Sequence, residues 1–286
     1  MNNPSSANPF VPKQALAPTP QLYDDLVGDS MQKLAATTWA HLSPIPTGST
    51  IHDNGCGTGA ATAALLPTLP DGTHVSIKAT DVNDAALDIY RANAVQNKWP
   101  AEAQRMDASA LSFPDATFSH SIGNALLFVL PDDGIPAVKE MYRTLRPGGI
   151  AALNSWAYVP NMEPVQAAAR ATRPPGTPVP RQGMRKWEDA EFLKGVLVKG
   201  GFEEEKVEVR REEVFVSATV GVERFANMLW SFVGGTGEEG WAVSDEGNWE
   251  RAIGVVVEEL GKTEGFAVVE GKVRLRFVAN VAVAVK

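Results

Sequence analysis

Ile51-His52-Asp53-Asn54-Gly55-Cys56-Gly57-Thr58-Gly59 decides how the chain is read, because three alternating glycines directly follow a short apolar-polar run. Such a run suits a strand that ends, turns tightly and opens a helix whose free N–H groups face a ligand. Glycine serves there because it accepts positive φ and lets the backbone approach a ligand closely. By itself the stretch fits both a cofactor loop and an ordinary turn. The residues on either side of it carry the choice.

Downstream, Ala60 to Leu66 reads as a short helix stopped by Pro67 and Pro70. Val75, Ile77 and Ala79 then alternate with Ser76, Lys78 and Thr80, a strand that ends at Asp81, 22 residues after Gly59. A carboxylate at the tip of a second strand suits a ribose, whose vicinal diol offers two donors to one acceptor. Asn83 can cap the next helix, which presents Ala86, Leu87, Tyr90 and Ala94 on one face. Ala101 to Met106 predicts a third strand running into Asp107, and Thr117 to Ile122 a fourth. A helix over Asp132 to Leu145 should stop at Arg146-Pro147-Gly148-Gly149, before a buried strand over Ile150 to Leu153 that leads to Asn154, Ser155 and Trp156. This strand-helix alternation argues for a mostly parallel sheet with helices on both faces.

Upstream, apolar residues from Leu22 to Leu42 recur at three- and four-residue steps, predicting one amphipathic helical segment that packs as a lid or flank near the ligand crevice, with Tyr23 either reaching the cofactor or facing the core. Residues 1–18, with four prolines, should be a tail that is largely disordered or draped on the surface. Beyond the fifth strand, residues 157–186 carry six prolines and read as too broken for a core element, either a cover over the substrate or a surface excursion. A helix over Trp187 to Lys199, a strand over Lys206 to Val216, two helical patches around Phe225–Phe232 and Trp249–Leu260, and a last strand over Val273 to Val285 complete the pattern. Trp187, Trp230, Phe232, Trp241 and Trp249 suit either a flat apolar pocket or the core.

The whole-chain balance narrows the partners. With 26 Lys and Arg against 34 Asp and Glu, the net charge is -8, which repels phosphate backbones and argues against nucleic acid. Cys56 is the single cysteine, so no intrachain disulfide can form, and it reads as a small residue fitting a tight turn. No apolar stretch approaches the length of a membrane span and no basic-then-apolar leader opens the chain, so a cytoplasmic protein is expected.

The glycine spacing also discriminates among cofactors. A dinucleotide fingerprint places its third glycine one residue further on, where Ala60 stands, and a P-loop needs a Gly-Lys-Ser/Thr that is absent. Four segments in order, Asp53–Gly59, Ala79-Thr80-Asp81-Val82, Met106-Asp107-Ala108 and Leu145-Arg146-Pro147-Gly148-Gly149, resemble the class I S-adenosylmethionine (SAM)-dependent methyltransferases over about residues 51–202. The resemblance implies a Rossmann-like class I methyltransferase sheet, mostly parallel with its last strand antiparallel, an N-terminal helical lid and a helical insertion near the C-terminus. It implies that Asp53, Asn54, Gly55, Cys56, Gly57 and Gly59 cup the methionine end of SAM. Asp81 would hold the ribose, Val82 would pack on adenine, and Asp107 with Ala108 would take the adenine amino group. More narrowly, the loop, Gly123-Asn124, Ser155-Trp156 and the Trp-rich tail resemble fungal natural-product methyltransferases, such as those that S-methylate reduced epidithiodiketopiperazines like gliotoxin.

On this reading one methyltransferase domain spans 19–286: an N-terminal lid at 19–47, a SAM-binding core at 48–216 with its cover at 157–186, a helical insertion at 217–271 and a final strand at 272–286. Tyr23 and Asn124 are candidates on both the cofactor and the substrate side, and Trp156 on the substrate side, while Asn124 equally suits a turn and Trp156 a packing role. The departure at His52, where the family carries a bulky apolar residue, requires a buried partner for the imidazole. None of His41, His52, His74 and His120 is assigned as a base and no metal is expected, so methyl transfer to an O, S or N atom of a small secondary metabolite would rest on proximity and desolvation. The alternative is a protein of the same fold that does not methylate, either a regulatory binding partner or a non-methylating catalyst such as a pericyclase.

Overall fold

A computed structural model describes residues 10–42, 44–236 and 240–286. In chain order these residues form α1 (Pro20–Val27), α2 (Ser30–Ala40), β1 (Ser49–Asn54), α3 (Ala60–Leu65), β2 (Val75–Asp81), α4 (Asp84–Gln96), β3 (Ala101–Arg105) and β4 (Phe118–Gly123). Then come α5 (Ile135–Thr144), β5 (Leu145–Tyr158), α6 (Met162–Thr172), α7 (Ala190–Lys199) and β6 (Val207–Ser217). The remainder is α8 (Val222–Val233), α9 (Ser244–Gly247), α10 (Trp249–Lys262), β7 (Ala267–Val269) and β8 (Lys272–Val285).

The strands join one sheet in the order β3-β2-β1-β4-β5-β8-β6, with β7 paired to β8. β1 to β5 pair in parallel, as the alternation of strands and helices requires. β8 runs the other way: the end of the chain meets the start of β5, where Gly148 N–H donates to Lys286 O at 2.9 Å and Lys286 N–H to Gly149 O at 3.0 Å. The order reverses between β1 and β4, so right-handed crossovers put α3 and α4 on one face and α5 on the other. The crevice beyond the carboxyl ends at such a reversal is where doubly wound sheets bind ligands.

Two compact units are formed. One comprises Met31–Ala157, Lys186–Val214 and Val278–Lys286 and holds the parallel strands. Its core joins Ala35 and Trp39 of α2, Ala61 and Leu65 of α3, and Ile51, Ile77 and Ile122 of three strands, all buried. The Trp39 indole N–H donates to Ala61 O at 2.9 Å, tying α2 to the helix that opens after the glycine loop. The other unit, Met1–Ser30, Tyr158–Arg185 and Phe215–Phe277, is mainly helical, with α10 packed on α6 and α8. At its centre the Arg173 guanidinium pairs with the buried Asp245 carboxylate at 2.8 Å and stacks over Trp230, 5.3 Å from the ring centre.

Several elements differ from the pattern expected of the sequence. The N-terminal helical segment is two helices, because Gly28 turns the chain at φ +52 and a side chain there would lie 2.2 Å from Ser217 O. Of the tail expected over 1–18, residues 1–9 lie outside the described residues. Residues 10–16 are draped, the second of the two expectations for this tail: Gln14 donates to Glu246 O at 3.0 Å, and Leu16 N–H donates to the Ser231 hydroxyl at 3.1 Å. The segment 157–186 contains a full helix, α6, with Val165, Ala168 and Ala169 buried. Pro164 is tolerated because it sits in the first turn, where its missing N–H would have had no partner. β5 starts at Leu145, so Arg146-Pro147-Gly148-Gly149 belongs to a strand rather than to a stop before one. It also runs through Trp156, which therefore stands within the strand and not past it.

Candidate functional site

β1 ends at Asn54, β2 at Asp81, β3 at Arg105, two residues before Asp107, and β4 at Gly123, next to Asn124. Parallel pairing and the register Asn54 with Thr80, and Asp81 with Arg105, bring these strand ends to one edge of the sheet.

Asp81 ties the glycine loop to the second strand. Gly57 N–H donates to its Oδ2 at 2.9 Å and Asn83 N–H to its Oδ1 at 2.9 Å. Each carboxylate oxygen keeps a further lone pair for a hydroxyl donor. Cys56 N–H donates to Thr80 O at 2.9 Å, a second clasp between loop and strand. The three glycines have different tasks. Gly55 and Gly59 hold φ +69 and +103, where a side chain is strained, and a Cβ would meet Leu126 Cδ1 at 2.5 Å and Trp99 at 2.7 Å respectively, so both pack closely against neighbouring side chains. Gly57, at φ +52, faces open space and leaves room for a ligand against the backbone.

Beneath the loop, Asp53 is buried and accepts the Thr62 hydroxyl at 2.7 Å. Burial pushes its carboxyl up to about 6, and the Thr62 hydrogen bonds only partly counter this. Asn54 is fully buried, and its Nδ2 has no hydrogen-bond partner among the described residues. An orphaned buried donor is costly unless a group absent from the protein itself meets it. The Cys56 thiol is pushed up by burial and so is unsuited to act as a nucleophile.

His52 finds the partners that its burial demands. Its Nε2 lies 2.9 Å from Thr80 Oγ1 and its Nδ1 3.2 Å from Ser121 Oγ, while its ring stacks on Phe118 at 4.8 Å. Burial pulls it down to about 3, so it stays neutral and structural. His41 is also engaged, with Nε2 3.0 Å from Glu212 Oε1 and Nδ1 accepting from Arg210 at 3.3 Å.

At the third strand end, Asp107 is exposed and its Oδ1 accepts Ser109 N–H at 2.8 Å, which orients the carboxylate; Ala108 beside it is buried. Val82 is 56% exposed, free to cover a flat ring. Asn124 is more committed than its position suggests: its Nδ2 donates to Met31 O at 3.0 Å and its Oδ1 accepts from Asn154 at 2.9 Å. Trp156 is half-buried. Tyr23 belongs to the other unit, where its ring packs on Phe232 at 5.6 Å. Trp187, Trp230, Trp241 and Trp249 are all buried and Phe232 is half-buried; the indole N–H groups of Trp230 and Trp249 have no hydrogen-bond partner among the described residues. Asn154, which the sequence does not single out, bonds to two of the site's backbone and side-chain groups. An asparagine inside a buried strand carries no local signal of that role.

The sheet order, the glycine loop and the acid-tipped strands define the Rossmann-like fold of class I methyltransferases. Residues 51–149 match the family described as a methyltransferase domain, a segment that runs from the glycine loop to the start of β5. Among curated proteins, the chain is 31% identical over 109 residues to methyltransferase tpcH of Aspergillus fumigatus, covering 37% of this chain and 38% of that one. It is 26% identical over 192 residues to methyltransferase ktnA of Aspergillus niger, covering 58% and 63%. The chain thus matches less than two thirds of the length of either relative. Among solved structures, the YcgJ protein of Bacillus subtilis superposes with a TM-score of 0.56 at 13% identity, over 88% of this chain and 97% of that one, a likeness of fold. Among the described residues no helix is long and apolar enough to cross a membrane, and no group of three or more His, Cys, Asp or Glu is placed to hold a metal.

Proposed function

We propose that the chain is a SAM-dependent methyltransferase that moves a methyl group to an O, S or N atom of a small molecule. The observation that carries this reading is the Gly57–Asp81 clasp: a backbone N–H and a carboxylate joined at 2.9 Å beside a glycine that faces open space, at the reversal point of the sheet. The orphaned Asn54 Nδ2 and the exposed Asp107 add donor and acceptor capacity at the same sheet edge. These residues fit SAM better than a phosphate-bearing cofactor, because Ala60 stands where a dinucleotide fingerprint has its third glycine and no Gly-Lys-Ser/Thr follows the loop.

SAM supplies an electrophilic methyl group on a sulfonium. The chain's own residues supply position and exclusion of water. Gly55, Gly57 and Gly59 let the loop close on the methionine end, Asp81 accepts the ribose hydroxyls, and Val82 with Ala108 gives apolar contact to the adenine beside Asp107. His41, His52 and His120 are engaged in hydrogen bonds, and His74 stands just before the start of β2, the end opposite Asp81, which leaves alignment and desolvation as the main sources of rate. A nucleophile that arrives ionised, a phenol or a thiol, suits such a site.

The acidic net charge favours a small molecule over nucleic acid, and the Aspergillus relatives named as methyltransferases are consistent with a natural-product substrate. The single, buried Cys56 is consistent with a reducing, cytoplasmic setting. Incubation with methyl-labelled SAM and a panel of phenols, thiols and amines tests the reaction. Label in an acceptor supports it; binding of SAM with no transfer across all three classes favours a non-methylating role for the same site.

A further inference from the structure

The end of β4 carries an unusual turn. Ala125 holds φ +54, a left-handed conformation in which an alanine is strained and which persists only where its surroundings enforce it. The enforcing group is Asn154, a fully buried side chain on β5. Its Oδ1 accepts Ala125 N–H at 2.7 Å, and its Nδ2 donates to Asn124 Oδ1 and to Thr38 Oγ1, both at 2.9 Å. Asn124 in turn donates to Met31 O at 3.0 Å, so the two amides join the β4 end to α2 at two points, Met31 and Thr38.

The turn has a consequence for the next residue. Leu126 is buried, and it fills the space that side chains on Gly55 and Gly123 would occupy: an added Cβ would meet its methyl groups at 2.5 Å and 3.2 Å respectively. The glycine loop therefore rests on Leu126, and Leu126 is aimed by the strained turn before it.

We propose that Asn154 is a positioning residue for the cofactor loop, holding Ala125 left-handed so that Leu126 is seated against Gly55. The inference rests on reading this loop as the SAM site, and it adds a residue that touches neither cofactor nor acceptor. Both polar atoms of the Asn154 carboxamide are engaged, Oδ1 once and Nδ2 twice, so no shorter or apolar side chain reproduces its three bonds.

The test combines amide hydrogen exchange on the ligand-free protein with titration by S-adenosylhomocysteine, for the wild type, Asn154→Ala, Leu126→Ala, and Asn154→Ala with Ala125→Gly. Asn154→Ala should speed exchange at residues 124–126 and also at 55–59, and should weaken S-adenosylhomocysteine by about three- to tenfold. Leu126→Ala should loosen 55–59 with Asn154 intact. Adding Ala125→Gly should recover most of the lost affinity, because glycine adopts the turn without being held, a rescue that a merely structural role does not predict. Unchanged exchange at 55–59 in both single variants, or no rescue by glycine, would overturn the proposal. If Asn154→Ala does not fold, unchanged 55–59 exchange in Leu126→Ala overturns it alone. A wild type that binds no S-adenosylhomocysteine overturns the cofactor reading instead, while the exchange data still decide the coupling.

Discussion

His52 and Asp53 sit side by side in β1, both buried, and their protonation states move in opposite directions. His52 is lowered to about 3 by burial, below its ordinary 6.5, so the folded state binds fewer protons and loses stability as pH falls from about 6.5 towards 3. Asp53 is raised to about 6, so its folded form binds more protons, and its contribution is present at low pH and lost as pH rises through about 6. Replacing His52 by Gln removes the first effect and keeps the second. The variant should gain on the wild type by about 2–3 kcal/mol between pH 7 and about pH 4.5, at about 1.4 kcal/mol per pKa unit. Denaturant midpoints across that range check this, and a difference independent of pH would mean that the imidazole is not neutral in the fold. At this scale the sequence was informative wherever a role depends on local spacing. The three glycines and Asp81 were legible because a tight turn and a strand-end acid leave a short-range signature. Asn154 was not, since its partners on β4 and α2 come from 30 and 116 residues away. Asn124 was read as facing a ligand from its place after a strand, a rule that cannot tell that both ends of its amide are already bonded within the protein.

Among the elements, α4 follows directly from the site, because Asn83 serves it twice: its backbone N–H steadies Asp81 and its side chain accepts Ala85 N–H at 3.0 Å and Ala86 N–H at 3.3 Å. Asn83→Ala removes only the cap. It should cost about 1 kcal/mol of stability, with cofactor affinity kept within about threefold. Thermal melting and titration together check this, and a large affinity loss without a stability loss would make Asn83 a ligand contact. Element type was legible through most of the chain because the 2.0 and 3.6 periods are distinct. It failed where apolar spacing carries on through a break, as at Gly28, and where prolines flank a helix without interrupting it, as around α6. The start of β5 was misread because Pro147, Gly148 and Gly149 are residues of turns, while here the pairing of Gly148 and Gly149 with Lys286 keeps them in the sheet.

For the whole molecule, the alternation of elements implied a mostly parallel sheet with helices on both faces, whereas the order β3-β2-β1-β4-β5-β8-β6 is read from the structure. The division into two units is not written in the periodicity, because the helical unit gathers three separate stretches of chain. Its acceptor chemistry is the least legible feature, as the substrate-side candidates Tyr23, Asn124 and Trp156 come from distant segments and carry no spacing rule. The central claim is that the glycine loop and Asp81 hold SAM, and calorimetric titration with S-adenosylhomocysteine tests it most directly. Saturable binding at one site per chain is predicted, weakened about 5- to 150-fold by Asp81→Ala through the loss of about 1–3 kcal/mol of charge-assisted hydrogen bonding. No binding by the wild type, or an Asp81→Ala variant that binds equally well, would contradict it.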